Sequence, residues 1–318
     1  MLLCALALAA LCFGKYDLAP RQILALLSGT TQDATAQTVF WQIRLPRVLA
    51  GLMVGFALSA AGATYQSIFR NPLVSPDILG VSAGASLGAV LGIFLSQPVI
   101  VIQLFAFAGG LIAVGLVYGI GAAMRHHDPT LVLVLSGLAI GALLSAGISL
   151  IKLLADPYNQ LPAITYWLLG SLAAVTTHDI ETVLPALLIG LVPLCLLRWR
   201  MNVMTLGEEE ARALGLPTRR LRLVFIASAT LMTAACVSIT GVIGWIGLLI
   251  PHIARMLVGP DFARLLPTSL MLGGGFLIAI DLVARTLAPT ELPLGILTAL
   301  LGAPFFLWLL ATTRQGWR

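Results

Sequence analysis

The sequence predicts an all-α polytopic membrane protein, about ten transmembrane helices in one compact bundle. Three observations carry that prediction. Of the 318 residues, 59% are hydrophobic and only 10% charged, with a mean hydropathy of +1.01. A soluble domain carries roughly a quarter charged residues. Apolar runs of near-spanning length also recur from one end to the other, and they are continuous rather than alternating, which argues against a transmembrane β-barrel. No stretch is long and polar enough to form a separate soluble domain, so residues 1–318 read as a single transmembrane domain.

The spans fall at approximately 2–14, 47–69, 78–95, 99–123, 130–153, 180–197, 223–242, 244–258, 266–287 and 293–311. The first is about a dozen residues long, short of the ~20 needed to cross. It lacks the basic start and cleavage site of a signal peptide, so its helix is expected to begin upstream of Met1. Gly51/Gly55, Gly80/Gly84/Gly88/Gly92 and Gly137/Gly141 repeat at intervals of four, a spacing that lets helix backbones approach closely in a bilayer. Between the fifth and sixth spans, the mildly apolar stretch 162–175 is too short to cross and predicts a re-entrant or surface helix.

Charge sets the direction. With the N-terminus inside, one side collects Arg70, Arg125, Arg198, Arg200, Arg212, Arg219, Arg220, Arg222, Arg255, Arg264, Arg314 and Arg318. The other collects Lys15, Arg21, Arg44, Arg47, Lys152 and Arg285. The positive-inside rule then places both termini in the cytoplasm and the loop 15–44 outside. The net charge of +5 follows from this bias and is no sign of nucleic-acid binding.

The stretch 205–217 is a charged island in the cytoplasmic half of this pattern. Thr205 with Glu208 three residues on reads as a capping box, and the acidic run Glu208, Glu209, Glu210 suits a helix N-terminus. Gly215 and Pro217 stop the helix after about two and a half turns. A chain that only had to turn around would not need such an element; a rigid surface helix suits a soluble partner pressing on it. No Gly-rich nucleotide loop with Lys is present, so the energy for any transport must come from elsewhere.

Three further segments complete the set. Arg44-Leu45-Pro46-Arg47 opens the second span. Arg70-Asn71-Pro72-Leu73-Val74-Ser75-Pro76-Asp77 forms a two-proline cytoplasmic turn. Gly241-Val242-Ile243-Gly244-Trp245-Ile246-Gly247 leads through a tight outside turn into the span that holds Pro251 and His252. Together with Gly207, Glu208, Ala211, Leu214 and Gly215, and with the closing Glu291-Leu292-Pro293-Leu294-Gly295, these segments resemble the FecCD family of permeases. Members are the membrane subunits of type II ABC importers for iron–siderophores, haem and cobalamin. The resemblance runs from about Trp41 to Leu310, in the family's order and spacing.

That resemblance implies a non-catalytic permease in the bacterial cytoplasmic (inner) membrane, paired with a second copy as a homodimer; a heterodimer with a related permease stays open. It implies two ABC ATPase subunits, holding the ATP and Mg, docked on Thr205, Leu206, Gly207, Glu208, Glu209, Ala211, Leu214 and Gly215. It implies a periplasmic binding protein whose acidic residues meet Arg47 and Arg285, and an inner gate at Asn71, Pro72, Leu73 and at Asp128, Pro129, Thr130. The residues by themselves also allow plainer readings: Arg285 paired to Asp281 one turn back, and ordinary interhelical turns at both gate segments. An iron–siderophore is the expected cargo, with haem, cobalamin and molybdate as alternatives.

Other polar residues carry less. His252 has no second ligand at metal spacing, His126 and His127 read as a solvated loop, and His178, Asp179 and Glu181 read as a helix start. Tyr166 and Trp167 fit an aromatic belt as well as a ligand contact. Cys4, Cys12, Cys195 and Cys236 read as small buried hydrophobes, and no metal site is expected. An ion-coupled transporter would need midplane carboxylates, and Asp281 is the one acidic residue inside a span; a membrane enzyme would need a clustered catalytic set.

Overall fold

A computed structural model describes residues 2–30, 33–124 and 129–312, and they form an all-helical bundle. The chain begins with α1 (Leu2–Cys12), then α2 (Pro20–Leu27) and α3 (Ala34–Thr38). A π-helical stretch, Val39–Arg44, joins α3 to α4 (Leu45–Ile68), giving one continuous apolar helix over Ala34–Ile68. Pro46 lies inside it without breaking it. Proline cannot donate to the carbonyl four residues back, and the wider π turn just before it absorbs the misfit.

A 3-10 turn, Pro76–Leu79, leads into α5 (Val81–Phe94), α6 (Val99–Ala123), α7 (Pro129–Leu154), α8 (Gln160–Leu168) and α9 (Thr177–Leu196). Two short helices follow, α10 (Arg198–Met204) and α11 (Glu208–Ala213). The chain closes with α12 (Thr218–Thr240), α13 (Ile246–Val258), α14 (Phe262–Thr286) and α15 (Leu294–Thr312). Among the described residues, six helices are long and apolar enough to span a membrane, and four shorter apolar ones (α1, α5, α13, α15) stand beside them. These ten overlap the ten expected spans, so the expected number holds only approximately. At 1.5 Å per residue, α5 and α13 extend only about 20 Å, less than the ~30 Å hydrocarbon core.

The core centres on α4, which is buried along most of its length and packs against α12, α13 and α14. Small residues set the distances. A Cβ at Gly55 would overlap the backbone of Gly273 in α14, and one at Gly88 would overlap the Phe105 carbonyl in α6. The glycine row of α5 therefore faces α6 through Gly84, Gly88 and Gly92, as the spacing of four implies. Gly80 is not part of it: its φ of 78° closes the 3-10 turn, and it faces Gly137 and Gly141 of α7.

Three expectations are corrected. The turn at Gly241 does not lie at the outer surface. The Ser171 N–H donates to the Thr240 carbonyl (2.8 Å) beneath α8, and Leu294 N–H donates to the Gly170 carbonyl (2.9 Å). From there the chain descends, extended, until Gly247 packs against Leu58 and Gly62 in α4. Nor do Thr205 and Glu208 form a capping box. Thr205 ends α10 and its hydroxyl donates back to the Asn202 carbonyl, while Gly207, which has no side chain to cap with, precedes α11. Of the cysteines, only Cys236 is buried; Cys4 and Cys195 are exposed on the chain's surface.

Candidate functional site

The charged island 205–217 folds as a small platform. Gly207 takes φ 144°, a backbone region that side-chain-bearing residues rarely adopt, which favours glycine before the helix turns. Ala211 is fully buried and seats α11 on the bundle. Glu208 is the main tie: one carboxylate oxygen pairs with Arg212 on α11 itself, the other with Arg222 on α12 at 2.9 Å. Arg212 in turn donates to the Thr218 hydroxyl (3.2 Å). Gly215 takes φ 80° and ends the helix in a Schellman arrangement, with Leu216 N–H on the Ala211 carbonyl and Gly215 N–H on the Arg212 carbonyl. Leu206, Glu209, Glu210 and Leu214 remain exposed, so the platform offers two leucines and two carboxylates to a partner.

A second contact steadies α10 beside it. The Asn202 amide donates to the Asp261 carboxylate (2.6 Å), and Phe262 N–H donates to Asn202 Oδ1 (2.7 Å). Asp261 also caps α14 through Ala263 N–H. The Asn202 hydrogen bond, then the Ala263 amide and the nearby Arg264 and Arg198 charges, hold this carboxyl below the usual carboxylate range.

In the two-proline turn, the Asn71 side chain accepts from Leu73 N–H (2.9 Å), an Asx-type turn that satisfies this backbone donor within the turn. Leu73 is exposed. Asp128, His126 and His127 lie outside the described residues, and Pro129 and Thr130 begin α7.

At the end of the bundle opposite α11, Arg47 and Arg285 are engaged within the chain rather than held as free forks. Both are buried around Asp281. Arg47 Nε donates to Asp281 Oδ1 at 2.7 Å and its Nη1 to Glu291 at 2.9 Å; Arg285 approaches the other Asp281 oxygen at 3.3 Å. Arg285 also donates to the Ala10 carbonyl (2.7 Å), and Arg44 to the carbonyls of Leu11, Cys12 and Tyr16. Guanidinium groups thus cap the C-terminus of α1, where the helix dipole favours positive charge.

The FecCD transport family model matches residues 2–312. This chain belongs to the FecCD transport family. Among the permease's curated relatives, a cobalamin import system permease protein of Halobacterium salinarum is 46% identical, over 87% of this chain and 74% of the relative. A chain from Helicobacter pylori (strain ATCC 700392 / 26695), described as a probable iron chelatin transport system permease protein, is 43% identical, over 87% and 83%. A solved ABC transporter described as of metal-chelate type, in an inward-facing conformation, superposes with a TM-score of 0.88 at 37% identity, covering 98% of this chain and 96% of its own.

Within the permease, the structure brings the residues of the 205–215 segment together and divides them between packing and surface. Gly207, Glu208 and Ala211 anchor α11, while Leu206, Glu209 and Leu214 face outward. Arg222 was read only as one of the inside charges; nothing local in sequence ties it to Glu208, fourteen residues away. Glu291 likewise meets Arg47 across 244 residues, although Asp281 with Arg285 was legible as a one-turn pair. Asp179 and Thr176 form a reciprocal capping box at the start of α9, the helix start expected there.

Proposed function

We propose that this chain is the membrane half of an ATP-driven importer for a metal chelate, with a ferric siderophore as cargo. Two ABC ATPase subunits would bind ATP and Mg in the cytoplasm and press on α11. A second copy of the permease would complete the path, and a periplasmic binding protein would deliver cargo at the opposite end. The assembly would sit in the bacterial inner membrane with both termini in the cytoplasm. The observation that carries this reading is α11: a surface helix fixed to α12 through Glu208 and Arg222, with Leu206 and Leu214 exposed beside it. A tie of that kind lets force on the helix reach a membrane span.

Docking at the outer end would proceed by exchange. Arg47 Nη1 is held by Glu291, whose side chain is 29% exposed, so an incoming carboxylate can compete for the same fork. Arg47 stays tied to Asp281 throughout, so the exchange at Glu291 favours orientation over affinity. Asn71, Pro72 and Leu73, with the turn at 128–130, would narrow the inner end of the path. The cobalamin and iron chelatin relatives both transport bulky chelates by name, which supports the class of cargo.

In the complete importer reconstituted into proteoliposomes, Glu208→Lys and Gly207→Pro should preserve ATP hydrolysis but cut uptake by about 5- to 150-fold, the range of typical coupling free energies. Uptake equal to that of the unaltered importer would contradict the reading.

A further inference from the structure

Between Thr240 and Ile246 the chain runs without helical structure through the interior of the bundle. Gly241 has φ 68° and Trp245 φ 71°. The first suits glycine. A tryptophan in that region is an outlier, and it persists only where its surroundings hold it.

Those surroundings are specific. The indole lies against Gly302 of α15, where an added Cβ would stand 2.7 Å from ring carbons Cδ2 and Cε3. Trp245 also divides two crevices of about 10 Å³ each, room for no more than a single water. Pro72, His252 and Phe305 line one; Pro76, Asp77 and Ser82 line the other. Both prolines belong to the cytoplasmic turn, and Pro76 also packs onto Gly247 at the start of α13. One side chain therefore touches the surroundings of three elements: the turn, α13 and α15. Helix α15 packs chiefly on α13 and α14 and keeps Leu300, Leu301 and Leu307 exposed, so it is lightly held elsewhere.

We infer that Trp245 is a positioning residue for transport, a wedge that keeps α15 in step with the cytoplasmic turn as the bundle changes state. The inference rests on the importer reading above. The strained backbone keeps the indole aimed at Gly302, and the side chain lines both crevices. A shift of the turn is then passed to α15 through the ring rather than absorbed by a gap.

The test uses the whole importer in nanodiscs, with spin labels at Leu73 and Leu307, both exposed. Label distances are read with and without ATP and vanadate, alongside uptake per ATP hydrolysed. Trp245→Gly keeps the backbone conformation and removes the wedge. It should abolish the nucleotide-dependent distance change and lower uptake per ATP by about 5- to 150-fold, while Trp245→Phe retains most of both. Gly302→Ala should impair coupling alone yet add nothing in the Trp245→Gly background, the non-additivity of groups in contact. If Trp245→Gly does not accumulate, Gly302→Ala carries the test: a normal distance change and uptake ratio would overturn the inference. An unaltered importer whose distance ignores nucleotide would overturn the importer reading with it. A normal response in both the unaltered and the Trp245→Gly importer would overturn the wedge alone.

Discussion

Near the C-terminal end of α14, one buried carboxylate faces two buried guanidinium groups, and the three depend on one another unequally. Replacing Asp281 by Asn leaves Arg47 and Arg285 without the charge they share, and such broken buried pairs cost about 3–5 kcal/mol. Glu291 is partly exposed, and Glu291→Gln should cost about 1 kcal/mol or less. Thermal unfolding in detergent should separate the two variants clearly; equal losses would show that Asp281 does not hold the cluster. Asp261 gives a pH-dependent counterpart. Its native carboxyl titrates below the usual range, so its stabilisation is present above the ordinary value of about 3.9 and is lost as pH falls through the lower native one. The stability gap between the permease and Asp261→Asn should be wide at pH 7 and narrow near pH 3. A gap that does not change would contradict the assignment. Local chemistry was legible at this scale wherever partners lie within one helical turn, as with Arg285 and Asp281. Thr205 shows the limit: its spacing to Glu208 is that of a cap, but Gly207 breaks the helix between them.

Among the helices, close packing through glycine is the feature that a substitution tests most sharply. Gly88 lies where a Cβ would overlap the Phe105 carbonyl, and backbone cannot yield as a flexible side chain can. Gly88→Ala should therefore destabilise the α5–α6 pair by about 1–3 kcal/mol. Gly119, on the same α6, has nothing within 4 Å of its added Cβ, and Gly119→Ala should leave stability unchanged or raise it by up to about 1 kcal/mol, since alanine is the better helix former. Unfolding midpoints of the two variants decide this, and a Gly88→Ala protein as stable as Gly119→Ala would refute the packing argument. The apolar runs located these helices well, because a bilayer allows few alternatives to a helix. Their ends were less legible. The segment Gly241–Trp245 reads as a surface turn by its glycines, yet it is buried, because α8 and the start of α15 fold over it and satisfy its backbone.

Across the whole molecule, α6, α7 and α9 keep most of their apolar length on the outside of the chain. That surface is expected where lipid, or another membrane subunit, replaces water. The family was legible because its motifs are local: each occupies one short, contiguous run of the sequence. The assembly is not local, since neither the ATPase nor the cargo is encoded in one chain. What the fold contributes is a route from α11 through Glu208 and Arg222 into α12, and from there into the core around α4. The most direct test places a photo-crosslinking residue at Leu214, which is 64% exposed on the outer face of α11, in native membranes, with mass spectrometry to identify what it captures. The account predicts an ABC ATPase at Leu214 and none at an equally exposed residue of the outer end, such as Leu24. Capture of no ATPase at Leu214, under conditions where a known importer yields its own, would contradict the account.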